Sequence, residues 1–153
     1  MGKRMLSSEE LEALGFVFSG KEMTETGEIR VRVINPDGSA YTMTMLPEDQ
    51  PGGWQQSHWH QGVEELYCVQ KGMIGYARLN NSGELVLSLH CAGDLFMTKP
   101  RTAHNVYMFS GAVIHTVKCG DCTHKGDWKK SIELDVILRL VTEDDLLALS
   151  GKE

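Results

Sequence analysis

The sequence predicts an all-β, single-domain protein, an antiparallel sandwich or barrel with short helices at its two ends. Three observations carry this expectation. Eight short segments alternate in polarity and are rich in Val, Ile, Tyr, Thr and Met. Clusters of turn-forming residues separate them at even spacing, with no helical stretch in between. The length, 153 residues, suits one domain with a hydrophobic core of its own.

Taken in order, residues 7–15 (SSEELEALG) open with a serine N-cap and acids in the first turn. Leu11 and Leu14, in phase with Phe18, give this short helix an apolar side, and Gly15 ends it. The expected strands are 29–35, 40–46, 64–70, 73–80, 84–90, 94–98, 103–109 and 111–119. NPDGS, PEDQPGG, KG, NNSG, CAG, KPR and SG lie between them. SIELDVILRL, from Ser131, fits either a serine-capped helix or a final strand. TEDDLLALSG fits a short helix, with Thr142 and Asp145 as a capping box and Gly151 at its end. One domain over 1–153 therefore has a barrel core of about 28–120, with helical ends at 7–15 and 131–150 packed outside it.

Composition is that of an ordinary globular protein, 41% hydrophobic and 24% charged. The net charge of -6, without a basic block, argues against nucleic acid and anionic membranes as partners. No apolar run approaches the roughly 20 residues of a membrane-spanning helix. MGKRMLSSEELEALGF lacks the apolar segment of a signal peptide, so a cytoplasmic location is the expectation. Cys68, Cys91, Cys119 and Cys122 are expected as reduced thiols. Cys119 and Cys122, with His115 and His124, offer four zinc donors, but no second pair has zinc-site spacing. The Gly, Asp and Thr around them read as a loop.

The chemistry concentrates in HWHQGVEE, residues 58–65. On an extended strand His58 and His60 share one face and Trp59 takes the other. Two imidazoles followed by a carboxylate, Glu64 or Glu65, begin a metal site. A neighbouring strand must complete it, from His90, His104 or His115. His104 stands out because a loop after Pro100 delivers it to the start of the strand AHNVYMF.

These residues resemble the cupin superfamily. Its first motif, G(X)5HXH(X)3–4E(X)6G, is matched throughout by Gly52, His58, His60, Glu65 and Gly72. Its second, G(X)5PXG(X)2H(X)3N, is met loosely by Gly93, Pro100 and His104. There the spacing is shifted, the central glycine is absent, and Met108 stands where Asn is expected. The resemblance implies a cupin jelly-roll barrel holding one divalent transition metal per chain (Mn, Fe, Zn, Ni, Co or Cu). The implied ligands are His58, His60, Glu65 and His104. It also implies a small-molecule substrate and a homodimer paired through sheet edges. IRVRVIN is a candidate edge, unless its alternating arginines guard an edge against pairing. Motif spacing favours Glu65 over Glu64, and alternation agrees, since Tyr67 and Val69 then face the interior with it.

For function, the resemblance leads to an isomerase or epimerase of a sugar or hydroxy-carbonyl compound, the metal stabilising an enediolate. Tyr41, Glu64 and His115 are the candidate bases, and Tyr41, Met43 and Met45 are expected to line the barrel mouth. An Fe(II)-type dioxygenase is the second reading, and a non-catalytic metal- or ligand-binding protein the third. His90 and His124 read as structural or surface residues, and Lys99, Arg101 and Lys118 as ordinary basic residues.

Overall fold

The computed structural model describes residues 7–15 and 18–151, apart from the side chains of Ser8, Leu11, Phe18 and Ser19. The expected apolar phase of Leu11 with Phe18, and the first six residues of the N-terminal segment, lie outside the described residues.

Helix α1 (Ser8–Ala13) precedes twelve strands: β1 (Phe18–Met23), β2 (Ile29–Ile34), β3 (Ala40–Met45), β4 (Gly53–Trp54), β5 (His58–His60), β6 (Glu64–Lys71), β7 (Met73–Leu79), β8 (Leu85–Cys91), β9 (Leu95–Thr98), β10 (His104–Met108), β11 (Val113–Cys119) and β12 (Trp128–Lys130). Helices α2 (Ile132–Leu138) and α3 (Glu143–Leu147) follow. One sheet runs β1-β2-β3-β11-β6-β9 and the other β12-β5-β10-β7-β8, with β4 on β10. Every pairing is antiparallel.

The inner face of the first sheet is divided along its strands. On β6, Glu65, Tyr67 and Val69 are buried in alternation. Val69 joins Leu46, Ile74, Tyr76, Val106, Met108 and Ile114 in a dry core at one end of the barrel. The other end, beyond Tyr67, is polar and open.

SIELDVILRL is a helix. The Ser131 hydroxyl accepts the Leu134 amide, and Leu134 and Leu138, four apart, are buried beside Ala77 of β7. In α3 the Thr142–Asp145 capping box is formed at both contacts, and Leu146 is buried beside Tyr107 and Phe109. Leu146 packs so closely on β7 that a Cβ at Gly75 would sit 2.6 Å from its Cδ1. Both helices cover the outer face of the second sheet.

Two expectations are corrected. β2, the IRVRVIN strand, is no edge: β1 pairs with it from Phe18↔Ile34 to Met23↔Ile29, so β1 and β9 are the margins of that sheet. The Trp128–Lys130 strand, absent from the expected set, pairs with β5 and places Trp128 opposite His60.

Candidate metal centre

Short β5 sets the first two ligand candidates. His58 and His60 alternate inward as the strand period requires. The backbone then turns at Gln61–Gly62 and enters β6, which brings Glu65 in. His104 arrives on β10, directly opposite His58 in the register. The loop before it contains Arg101 in the left-handed region (φ 62°), and the Arg101 amide donates to the His60 carbonyl at 2.7 Å, tying the two ligand segments together. Four residues separated along the chain thus share one end of the barrel.

Each imidazole is oriented by its outer nitrogen. His58 Nδ1 is 2.9 Å from the Gln56 carbonyl, and His104 Nδ1 is 2.9 Å from the Thr102 carbonyl. His60 Nδ1 is 2.6 Å from Asp127 Oδ2. Since these partners only accept, Nδ1 carries a proton in all three, and the Nε2 lone pairs of His58 and His60 are left to the interior. His58 Nε2 and His60 Nε2 are buried without a hydrogen-bond partner. Orphaned buried acceptors are costly, and a cation shared between them removes that cost.

The carboxylate completes the set. Donor atoms of His58, His60 and Glu65 lie within 4.8 Å of one another. Glu65 Oε2 is 2.7 Å from His104 Nε2, a contact that requires a proton between them, and 3.9 Å from His58 Nε2. Glu65 Oε1 is 3.4 Å from His60 Nε2 and 3.2 Å from Lys118 Nζ. Burial pushes the Glu65 carboxyl up, but His104, His60 and Lys118 outweigh it and hold the group well below the usual carboxylate range. Burial, helped by the charge of His104, pushes His58 down to about 3, so its ring is neutral and able to ligate. The Tyr67 hydroxyl donates to Glu65 Oε2 at 3.0 Å, and burial together with that negative charge pushes the phenol well up. Trp128 stacks on His58, ring centroids 5.5 Å apart.

These groups open onto a cavity of about 410 Å³ between the sheets. Its wall along β2, β3 and β11 carries Arg30, Arg32, Thr42, Thr116 and Lys118. None of these was singled out as a site residue from sequence. Neither was Asp127, which also accepts the Gly62 and Val63 amides at 2.8 and 3.2 Å.

The three candidate bases lie elsewhere. Thr42 and Thr44 face the cavity, so Tyr41, Met43 and Met45 take the outer face of β3. His115 shares that face between inward-facing Ile114 and Thr116. It accepts the Tyr41 hydroxyl at Nδ1 (2.5 Å) and donates from Nε2 to the Gln70 side-chain oxygen. Glu64 points away from Glu65 and pairs with Lys99 at 2.6 Å. The strand period excludes all three from the cavity that holds Glu65. His90 bonds Ser88 and stacks on Phe96, whereas His124 lines the cavity mouth. All four cysteines are free thiols. Cys119 is exposed and Cys122 faces the cavity. Among the described residues, Cys119, Cys122, His115 and His124 do not gather as metal donors.

Among the described residues no helix is long and apolar enough to cross a membrane. No family model and no curated protein matches the chain. Solved structures do. Oxalate decarboxylase from Bacillus subtilis superposes with a TM-score of 0.62 at 19% identity, over 91% of this chain and 39% of that one. One of its structures concerns the enzyme's Mn(II) centres, with the same TM-score and coverage. The chain therefore spans well under half the length of that enzyme. An uncharacterized conserved protein with a double-stranded β-helix domain, from Klebsiella pneumoniae, superposes with a TM-score of 0.56 at 20% identity, over 85% of this chain and 98% of that one.

Proposed function

Starting from a chain that is a cupin by its fold, we propose a divalent-metal-dependent protein that acts on a small hydroxy-carbonyl or carboxylate compound by proton transfer, in the manner of an isomerase or epimerase. The observation that carries the reading is the convergence of three imidazoles, each fixed through Nδ1, on one buried carboxylate, with two Nε2 atoms left unpartnered. His58, His60, Glu65 and His104 would hold the metal. Three neutral nitrogens and one oxygen suit Mn, Fe, Co, Ni, Cu or Zn. When bound, the metal supplies a Lewis acid for a carbonyl or carboxylate oxygen.

The chain's own residues supply the rest. Lys118 Nζ lies against Glu65 and lines the cavity, so it is the side chain placed to move a proton at the substrate. It takes the role first given to Tyr41, Glu64 and His115. Tyr67 stays protonated and acts as a donor that orients Glu65. Trp128 and the barrel wall keep bulk water from one side of His58. The homodimer remains part of this reading, with the exposed Leu95 and Met97 of marginal strand β9 as support.

A second reading has support in the fold neighbours: oxalate decarboxylase has Mn(II) centres, so carboxylate cleavage or an Fe(II)-type oxygenation at the same ligands is the alternative. Elemental analysis tests the common premise. About one transition metal per chain, lost in a His58→Ala/His104→Ala variant, is expected. Exchange of solvent deuterium into hydroxy-carbonyl compounds then favours the isomerase, and dioxygen uptake or CO2 release the alternative. No metal in the parent protein even after reconstitution overturns the reading.

A further inference from the structure

The register of the first sheet lays out a row of inward side chains that the metal ligands do not use. Arg32 on β2 is opposite Thr42 on β3, Thr42 is opposite Thr116 on β11, and Thr116 is opposite Tyr67 on β6. Tyr67 touches Glu65 and His104. The row therefore starts at the metal ligands and ends, three strand spacings or about 14 Å away measured between backbones, at Arg32.

Two features of this row have no internal explanation. Thr42 is 6% exposed and its hydroxyl has no hydrogen-bond partner, although it faces the cavity. Arg32 has no ion pair among the described residues. Its neighbour Arg30 is neutralised at 2.6 Å by buried Glu28, which Gln55 also holds. Lys118 is paired with Glu65. On the other side of Arg32 stands Gly20, which has no side chain to answer the guanidinium. A protein of net charge -6 thus keeps an unanswered arginine inside its polar cavity.

The nearby carboxylates do not reach Arg32. Asp127 is taken up by His60 and the Gly62 and Val63 amides, and Glu65 by Lys118. The exposed Glu22, which borders Arg30 and Arg32 at the sheet margin, forms an ion pair with neither among the described residues.

We infer that the row Tyr67–Thr116–Thr42–Arg32 is the substrate bed, and that the substrate is a chelating oxygen compound whose far end carries a second anion, a carboxylate or a phosphate, held by Arg32. This rests on the metal reading above and narrows it. Neutral sugars are disfavoured as substrates. So is oxalate, whose two carboxylates are on adjacent carbons and do not reach along the row. A planar guanidinium suits either anion bidentately, whereas an ammonium does not.

The test uses the metal-loaded full-length protein, its metal content measured on the same samples, and titration calorimetry with matched pairs of probes. For a carboxylate the pair is 2-oxoglutarate and 2-oxopentanoate, which share the chelating end. For a phosphate it is dihydroxyacetone phosphate and dihydroxyacetone. The expected result is that, in one pair, the member carrying the far anion binds about tenfold or more tightly than its match without it. Arg32→Gln should abolish that preference while metal content and Tm stay at the parent values, and Arg32→Lys should restore it only partly. The pair that shows the preference identifies the anion. Full metal loading with no preference in either pair, or a preference that survives Arg32→Gln, overturns the inference. A parent protein that takes up no metal overturns the metal reading instead.

Discussion

His60 and Asp127, 67 residues apart in sequence, are joined by a 2.6 Å hydrogen bond from Nδ1 to Oδ2. The other Asp127 oxygen takes the Gly62 and Val63 amides. One carboxylate therefore fixes both the tautomer of a ligand and the turn that leads from His60 to Glu65. Burial pushes the Asp127 carboxyl up, but the Gly62 amide and His60 outweigh it and hold the group low, so it stays ionised.

Asp127→Asn is expected to weaken metal binding by about 10- to 100-fold, the usual effect of losing a carboxylate behind a ligating histidine. Competition titration against a chromophoric chelator measures it. An affinity equal to that of the parent would reduce Asp127 to a turn residue.

Glu64 and Glu65 are adjacent in sequence and opposite in role. Glu65→Gln is expected to abolish stoichiometric metal binding. Glu64→Gln breaks a surface pair with Lys99, whose side chain is 70% exposed. It should change stability by no more than about 1 kcal/mol and leave metal content intact. Metal analysis with urea unfolding on both variants decides, and the reverse pattern would falsify the strand phase assigned to β6.

The metal-free protein should lose stability between pH 6.5 and about 3 through His58. Its folded value is depressed from 6.5 to about 3, chiefly by burial, so unfolding takes up a proton in this window. The contribution is complete above pH 6.5 and is lost as pH falls, at up to about 1.4 kcal/mol per pH unit. Urea midpoints between pH 7 and 5 measure the slope, which His58→Gln should flatten. Identical slopes in the two proteins would contradict a neutral, buried His58.

Leu146→Ala should cost about 2–5 kcal/mol by emptying a fully buried site. Gly75→Ala should cost about 1–3 kcal/mol by driving a methyl into Leu146. Because the two changes compensate in volume, the double variant should cost less than the sum, and thermal melts of the four proteins give the coupling. Strict additivity would mean that α3 does not rest on β7 as described.

Alternation revealed which residues share a face more readily than which face is inside. The eight central strands, the inward pair His58 and His60, and the set Glu65, Tyr67 and Val69 were legible, because strand periodicity and motif spacing agree there. The marginal strands β1 and β12 and the two-residue β4 were not. Tyr41, Met43 and Met45 were rightly grouped and placed on the wrong side. The interior at that point is a polar cavity, so the ordinary preference is inverted: Thr42, Thr44 and Thr116 face in and the larger apolar residues face out. The same inversion hid Arg30 and Arg32, which on β2 resemble guards of a solvent edge. Asp127 left no signal, since an aspartate in a glycine-containing loop is read as a turn former.

The position of Asp127 also orders events as the chain leaves the ribosome. His58, His60, Glu65 and His104 have all been synthesised by residue 104. The carboxylate that aims His60 arrives only with Asp127, and Asp135, whose side chain holds the Ser57 amide at 2.9 Å, arrives later still. A nascent chain therefore owns every ligand well before it can point them. On the metal reading, the aimed arrangement of these side chains waits for the C-terminal segment, which acts as its latch.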